Sequence, residues 1–131
     1  MGVIGLTVGN AGGMESVRAV ASELPEVTEE QPFGEGIPVF KVAGKVFAIW
    51  DPDDRPSRVT LKCDPDLALE LRAQYAAVTP GYHTNKRLWN TIVLDGTVPD
   101  DEVAELIRHA WEQAVASLRK ADRDRLLRRP G

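Results

Sequence analysis

An α+β domain built on a largely antiparallel sheet, packed against N- and C-terminal helices, is the architecture this sequence predicts. Three observations predict it. Strand-like runs follow one another from Ile37 to Cys63 with turn-rich breaks. Helix-period apolar patterns flank them rather than alternating regularly with them. And 131 residues with 43% hydrophobic content are enough for one core without disulfides or a structural metal.

The elements follow in order. Residues 1–13 are Gly-rich, uncharged and aperiodic, and read as a flexible leader. A single domain is expected over 14–120 and a basic tail over 121–131, read as frayed helix or disorder. Val17, Val20, Ala21 and Leu24 recur at helical spacing until Pro25. Val27 to Phe33 is acidic and extended in character, and Pro32, lacking an N–H, favours a sheet edge. Val39 to Val42 and Lys45 to Trp50 form a hairpin about Gly44. A turn over 51–56 leads into Arg58–Cys63, where Val59, Leu61 and Cys63 share one face and Arg58, Thr60 and Lys62 the other. Asp64 is placed to cap a helix with Pro65 at its first position, and Leu67, Ala68, Leu71 and Tyr75 form its apolar side. Thr79-Pro80-Gly81 ends it. Leu88 to Leu94 is the last strand. Acidic residues after Pro99 open the strongest helix, with Val103, Leu106, Ile107, Ala110, Trp111, Ala114, Val115 and Leu118 as the sheet-covering stripe. His109 lies off that stripe and reads as solvated.

Formal net charge is −4, which speaks against wholesale attraction to nucleic acid or anionic lipid, but the charge is zoned. Six glutamates accompany Arg18 in the first forty residues, whereas Lys41, Lys45, Arg58, Lys62, Arg72, Lys86 and Arg87 gather in the middle. The lone Cys63 cannot make an internal bridge, and no secretory pattern stands at the start, so a cytoplasmic location is expected. No apolar run approaches the roughly 20 residues of a membrane span.

The segment Pro80-Gly81-Tyr82-His83-Thr84-Asn85-Lys86-Arg87-Leu88-Trp89-Asn90-Thr91 crowds aromatics, a histidine, amides and two cations between a helix and a strand. Connections usually carry small polar residues, so this one is either a packed corner or a binding surface. Tyr82 and Trp89 can stack on bases, Trp89 equally well belonging to the core. His83 suits a general base, a phosphate contact or a loop-fixing hydrogen bond. Asn85 and Asn90 can read base edges or satisfy neighbouring backbone. With Lys41, Lys45, Lys62, Lys86 and Arg87 these form the candidate nucleic-acid or anion-binding set, against the alternative of an ordinary solvated sheet face. Catalysis has little support. Gly34-Glu35-Gly36 is no dinucleotide fingerprint, no P-loop or nucleophile elbow occurs, and two histidines and one cysteine lack zinc-ligand spacing. Asp51, Asp53 and Asp54 read as a solvated turn. No enzyme activity, cofactor or metal is therefore expected.

Several separated motifs in one order resemble the MmcQ/YjbR family: Pro32-Phe33-Gly34, the hairpin from Val39 to Ala48, Leu61-Lys62-Cys63, Pro80 to Lys86 and Trp89-Asn90-Thr91, over roughly residues 14–120. The resemblance implies a CyaY-like, double-wing α+β fold of bacterial type and a DNA-binding role. Leu88 stands where relatives often carry a histidine, so no role of a second imidazole is implied. The expectation is a small, non-enzymatic, cytoplasmic protein contacting DNA through Lys62, Tyr82, His83 and Lys86, with phosphate contacts from Lys41 and Lys45. The rivals are a pocket for a small anionic metabolite built from the same Lys, Tyr, His and Asn residues, and a protein-interaction adaptor using the Arg-rich tail.

Overall fold

The computed structural model describes residues 17–34, 36–53, 55–81 and 84–128; the leader expected over 1–13 lies outside them. The described chain starts in a helical segment, α1 (17–23). There follow β1 (Val27–Glu30), β2 (Val39–Val42), β3 (Lys45–Asp51), β4 (Arg58–Lys62), α2 (Pro65–Gln74), β5 (Val78–Pro80), β6 (Trp89–Val93), α3 (Asp100–Ala116) and α4 (Lys120–Leu127). The strands make one antiparallel sheet in the order β1-β2-β3-β4-β6-β5. The predicted α+β class is the observed one.

Local chemistry accounts for the element ends. Asp64 Oδ2 accepts from the backbone N–H groups of Asp66 and Leu67 at 3.0 and 3.1 Å, with Pro65 at the first helical position of α2. The β2–β3 turn needs two left-handed residues, and Ala43 (φ 49°) and Gly44 (φ 85°) supply them. In β3 one extra residue is inserted: Phe40 pairs with Ala48 and Lys41 with Val46, so Phe47 is a bulge. Both Phe47 and Ala48 are fully buried.

Register and alternation give the sheet two unlike faces. The inner face presents Phe40, Phe47, Trp50, Val59, Leu61 and Ile92 to the core, where Val17 and Ala21 of α1, Ala68 and Leu71 of α2 and the stripe of α3 meet them. Helix α3 lies against β2, β3 and β4, and α2 against β5 and β6. The indole Nε1 of Trp111 donates to the Pro25 carbonyl at 3.0 Å, tying α3 to the connection between α1 and β1.

Three details differ from the sequence reading. Val78–Pro80, read as a helix stop, is an edge strand; Pro80 is tolerated there because an edge position spares it a ladder donor. The tail expected from residue 121, read as frayed helix or disorder, continues α4 to Leu127; Leu126 is buried in the core and Arg125 grips Glu26 with two hydrogen bonds of 2.7 and 3.1 Å. His109, read as solvated, is half-buried and its Nε2 accepts from the Asp64 backbone N–H at 3.1 Å, joining α3 to the head of α2.

Candidate functional site

The outer face of the sheet carries the candidate site, and its composition follows from the same register. Across β2, β3, β4, β6 and β5 one outward row reads Val39, Ile49, Thr60, Thr91, Thr79. Towards one end the next row holds Asp51, Arg58 and Val93; towards the other it holds Lys41, Lys62 and Trp89. This face was expected to be wet. Instead Val39 is buried and Ile49 half-buried, with Phe33 and Ile37 of the segment before β2 lying against this face.

Between that segment and the strands runs a groove of about 490 Å³. Phe33 and Ile37 form one wall; Ile49, Thr60 and Thr91 form the floor. Thr60 and Thr91 share a hydrogen bond between their hydroxyls at 2.8 Å. Asp51 and Arg58 close one end with a carboxylate and a guanidinium 4.0 Å apart. Thr84 contributes from the loop between β5 and β6, and its hydroxyl is buried with no hydrogen-bond partner among the described residues. Phe33 is 67% exposed, an unusual position for a large aromatic. A volume in this range is that of an ordinary small-ligand site.

The cations expected to converge do so in part. Lys62 extends over the Trp89 ring, 5.9 Å from its centroid, on the same outer face as the groove and one row along. Lys41 shares that face, ion-paired with Glu30 at 3.0 Å. Lys45 pairs with inward-facing Val42, so it leaves the outer-face set. The Lys86 ammonium donates to the Gly81 carbonyl at 3.3 Å, and Arg87 is exposed. Asn85 spends its side-chain carbonyl on the Arg87 backbone N–H at 3.0 Å, a turn-forming role. Trp89 is half-buried, between its two expected fates. Tyr82 and His83 lie outside the described residues, as do Glu35 and Asp54.

A buried clamp fixes the loop that presents Lys86, Arg87 and Trp89. Arg72 of α2 donates from Nε to Asn90 Oδ1 at 2.7 Å and from Nη2 to the carbonyls of Lys86 and Trp89, the latter at 3.3 Å. Asn90, 2% exposed, passes its own amide N–H to the Ala68 carbonyl at 3.2 Å. Its buried polar atoms are thus satisfied inside the fold, which takes it off the list of base readers. Gly81 closes the loop: its N–H donates to the Trp89 carbonyl at 2.9 Å, and a Cβ there would stand 2.7 Å from the Trp89 Cβ and 2.2 Å from the Thr84 hydroxyl. Only glycine fits that approach.

Burial pushes the Cys63 thiol up to about 11, reinforced by the Asp64 charge and opposed by Arg72, so at neutral pH it stays protonated and a poor nucleophile. Among the described residues no three His, Cys, Asp or Glu side chains come together as a metal site, and no helix is long and apolar enough to cross a membrane.

The groove lining was not foreseen from the residues. Its one available signal was Phe33, an aromatic between Pro32 and Gly34 that belongs to no helical or strand period.

The chain as a whole is similar to several known proteins. The family model described as YjbR matches residues 22–113. The uncharacterized protein YbdF of Escherichia coli O157:H7 is 33% identical over 117 residues, 89% of this chain and 94% of the relative. The uncharacterized protein YjbR of Escherichia coli K12 is 39% identical over 88 residues, 66% of this chain and 74% of its own. The crystal structure of Deinococcus radiodurans protein DR2400, a DUF419 domain, superposes with a TM-score of 0.81 at 37% identity, covering 86% of each chain. A Pseudomonas syringae protein of 22% identity and TM-score 0.65, covering 77% of this chain and 97% of its own, shares the fold.

Proposed function

The chain belongs to the YjbR family, and from that premise we propose that it is a non-catalytic nucleic-acid-binding protein, with DNA as its ligand, working through the outer face of the sheet. The observation that carries this reading is the Lys62 ammonium over the Trp89 ring, on one face with Lys41 and beside the loop that holds Lys86 and Arg87. Cations fix a phosphate backbone by charge-assisted hydrogen bonds without reading sequence, and neighbouring aromatics supply stacking. Arg72, Asn90 and Gly81 hold the presenting loop in one shape before ligand arrives, which lowers the ordering cost of binding. A cytoplasmic location belongs to the same proposal.

Anisotropy of labelled single- and double-stranded DNA at two salt concentrations tests it. Binding should weaken steeply with salt, and Lys62→Glu with Lys86→Glu should lower affinity and flatten that slope. Affinity and slope unchanged in the double variant would sink the reading.

A second reading, favoured by the groove, is a small-molecule binder. The described lining of the groove joins apolar side chains to three threonines, one carboxylate and one guanidinium, while Tyr82 and His83 of the expected pocket lie outside the described residues. Binding of a small anion such as inorganic phosphate without any affinity for DNA would favour it.

A further inference from the structure

We propose that the outer-face groove is a subsite for one unstacked nucleobase, with the attached sugar and phosphate running towards Lys62. The proposal rests on the nucleic-acid reading and deepens it. The groove asks for a ligand that is apolar on its flat faces and polar along its edges. Phe33 and Ile37 provide an apolar wall and Ile49 an apolar part of the floor. The hydroxyls of Thr60 and Thr91 lie along the rest of the floor, hydrogen-bonded to each other at 2.8 Å, and a hydroxyl oxygen can accept more than one hydrogen bond. At the closed end the Asp51 carboxylate accepts and the Arg58 guanidinium donates, the pair of properties that a base edge complements.

The surroundings give the ligand its direction. Arg58 and Lys62 are the two ends of β4, four residues apart, which is roughly 13 Å at about 3.3 Å per residue. A nucleotide with its base edge at Arg58 therefore brings its phosphate within reach of the cation over Trp89. An alkyl chain would lie against polar groups that it cannot hydrogen-bond, and a stacked duplex has no free base to offer. Binding through this groove thus selects single strands or splayed bases. Phe33, as the exposed aromatic wall, becomes a stacking residue.

The test uses the full chain, a labelled oligothymidylate, a duplex of the same length, thymidine monophosphate and inorganic phosphate, with Phe33→Ala as the variant. Phe33 is exposed, so this change leaves the core intact. The expected result is tighter binding of the single strand than of the duplex, a loss of about tenfold for the single strand in Phe33→Ala, and duplex affinity unaltered. Thymidine monophosphate should bind and inorganic phosphate should not reproduce its effect on tryptophan fluorescence. Equal affinity for both polymers, or an equal loss for both in Phe33→Ala, overturns the base subsite while leaving DNA binding standing. Thymidine monophosphate binding that is sensitive to Phe33→Ala, with no affinity for either polymer, keeps the subsite and overturns the nucleic-acid reading. No binding of any nucleotide overturns both.

Discussion

The two faces of this sheet are made from the same strands and differ in what completes them. The inner face is finished by packing: Phe40, Phe47, Val59 and Ile92 meet α1, α2 and α3, and the buried Asn90 has its amide paired on both sides. The outer face is finished by pairing and partial cover. Its cations sit against Glu30, Asp51 or the Trp89 ring, and the 31–38 segment leaves a groove above a threonine floor. The lesson is that burial alone specifies the first face, whereas the second is specified by residues that have no packing reason to be there. Phe33 at the surface is the sharpest case.

The largest expected effect lies on the inner face. Phe47→Ala should cost about 3–5 kcal/mol, because a fully buried ring leaves a cavity that the neighbours only partly fill. The same urea titration on Thr60→Val, outward on β4, should shift stability by less than about 1 kcal/mol. Comparable losses at both positions would erase the distinction between the faces.

Next comes the device that links them. Arg72→Met removes the donors for Asn90 Oδ1 and for the Lys86 and Trp89 carbonyls, and should cost about 1–3 kcal/mol. Hydrogen exchange should quicken first at the Cys63 and Gly81 amides, which donate to Leu88 and Trp89 carbonyls. An unchanged exchange pattern there would mean that the loop holds its shape without the clamp.

Smaller still is the helix cap. Asp64→Ala should cost about 1 kcal/mol by freeing the amides of Asp66 and Leu67, with no effect on DNA affinity, since the cap stands at the opposite end of α2 from Arg72. A loss of DNA affinity would show that the cap also positions Arg72.

The smallest effect is silent at neutral pH. The folded chain keeps the Cys63 proton up to about 11, whereas the unfolded chain releases it near the ordinary 9.0. The unfolded state therefore binds fewer protons in that window, and stability falls as pH rises through it. Relative to Cys63→Ala the parent should lose ground between those values and match its own neutral-pH difference below them. Rapid alkylation of native Cys63 at pH 8 would contradict its buried, protonated state.

Much of the inner layer was legible beforehand. Alternation in Val59, Leu61 and Cys63, the Asp64-Pro65 helix start and the long stripe of α3 each encode their own partner face. What escaped is what lacks a local period. Val78–Pro80 is too short and carries a proline, so its strand character comes only from pairing with β6. Helix α4 is mostly charged and owes its place to Leu126 and to the Arg125 grip on Glu26, far away in the chain. His109 gained a partner from another helix. The candidate site was legible at the Lys62 and Trp89 row, but the groove draws on five separate segments, and no spacing in one segment announces it.

The extra residue in β3 reaches further than its own neighbourhood. Because Phe47 and Ala48 both turn inward, the alternation that runs outward through Ile49 and Asp51 is offset by one step from the hairpin tip. Counting along β3, the parity of the strand changes hands at that point. Deleting Phe47 would make the pairs Lys41 with Val46 and Phe40 with Ala48 consecutive, so both faces would keep their residues and the core would lose one ring. The bulge thus works as an insert, adding a second inward side chain to the hairpin without turning either half of it over.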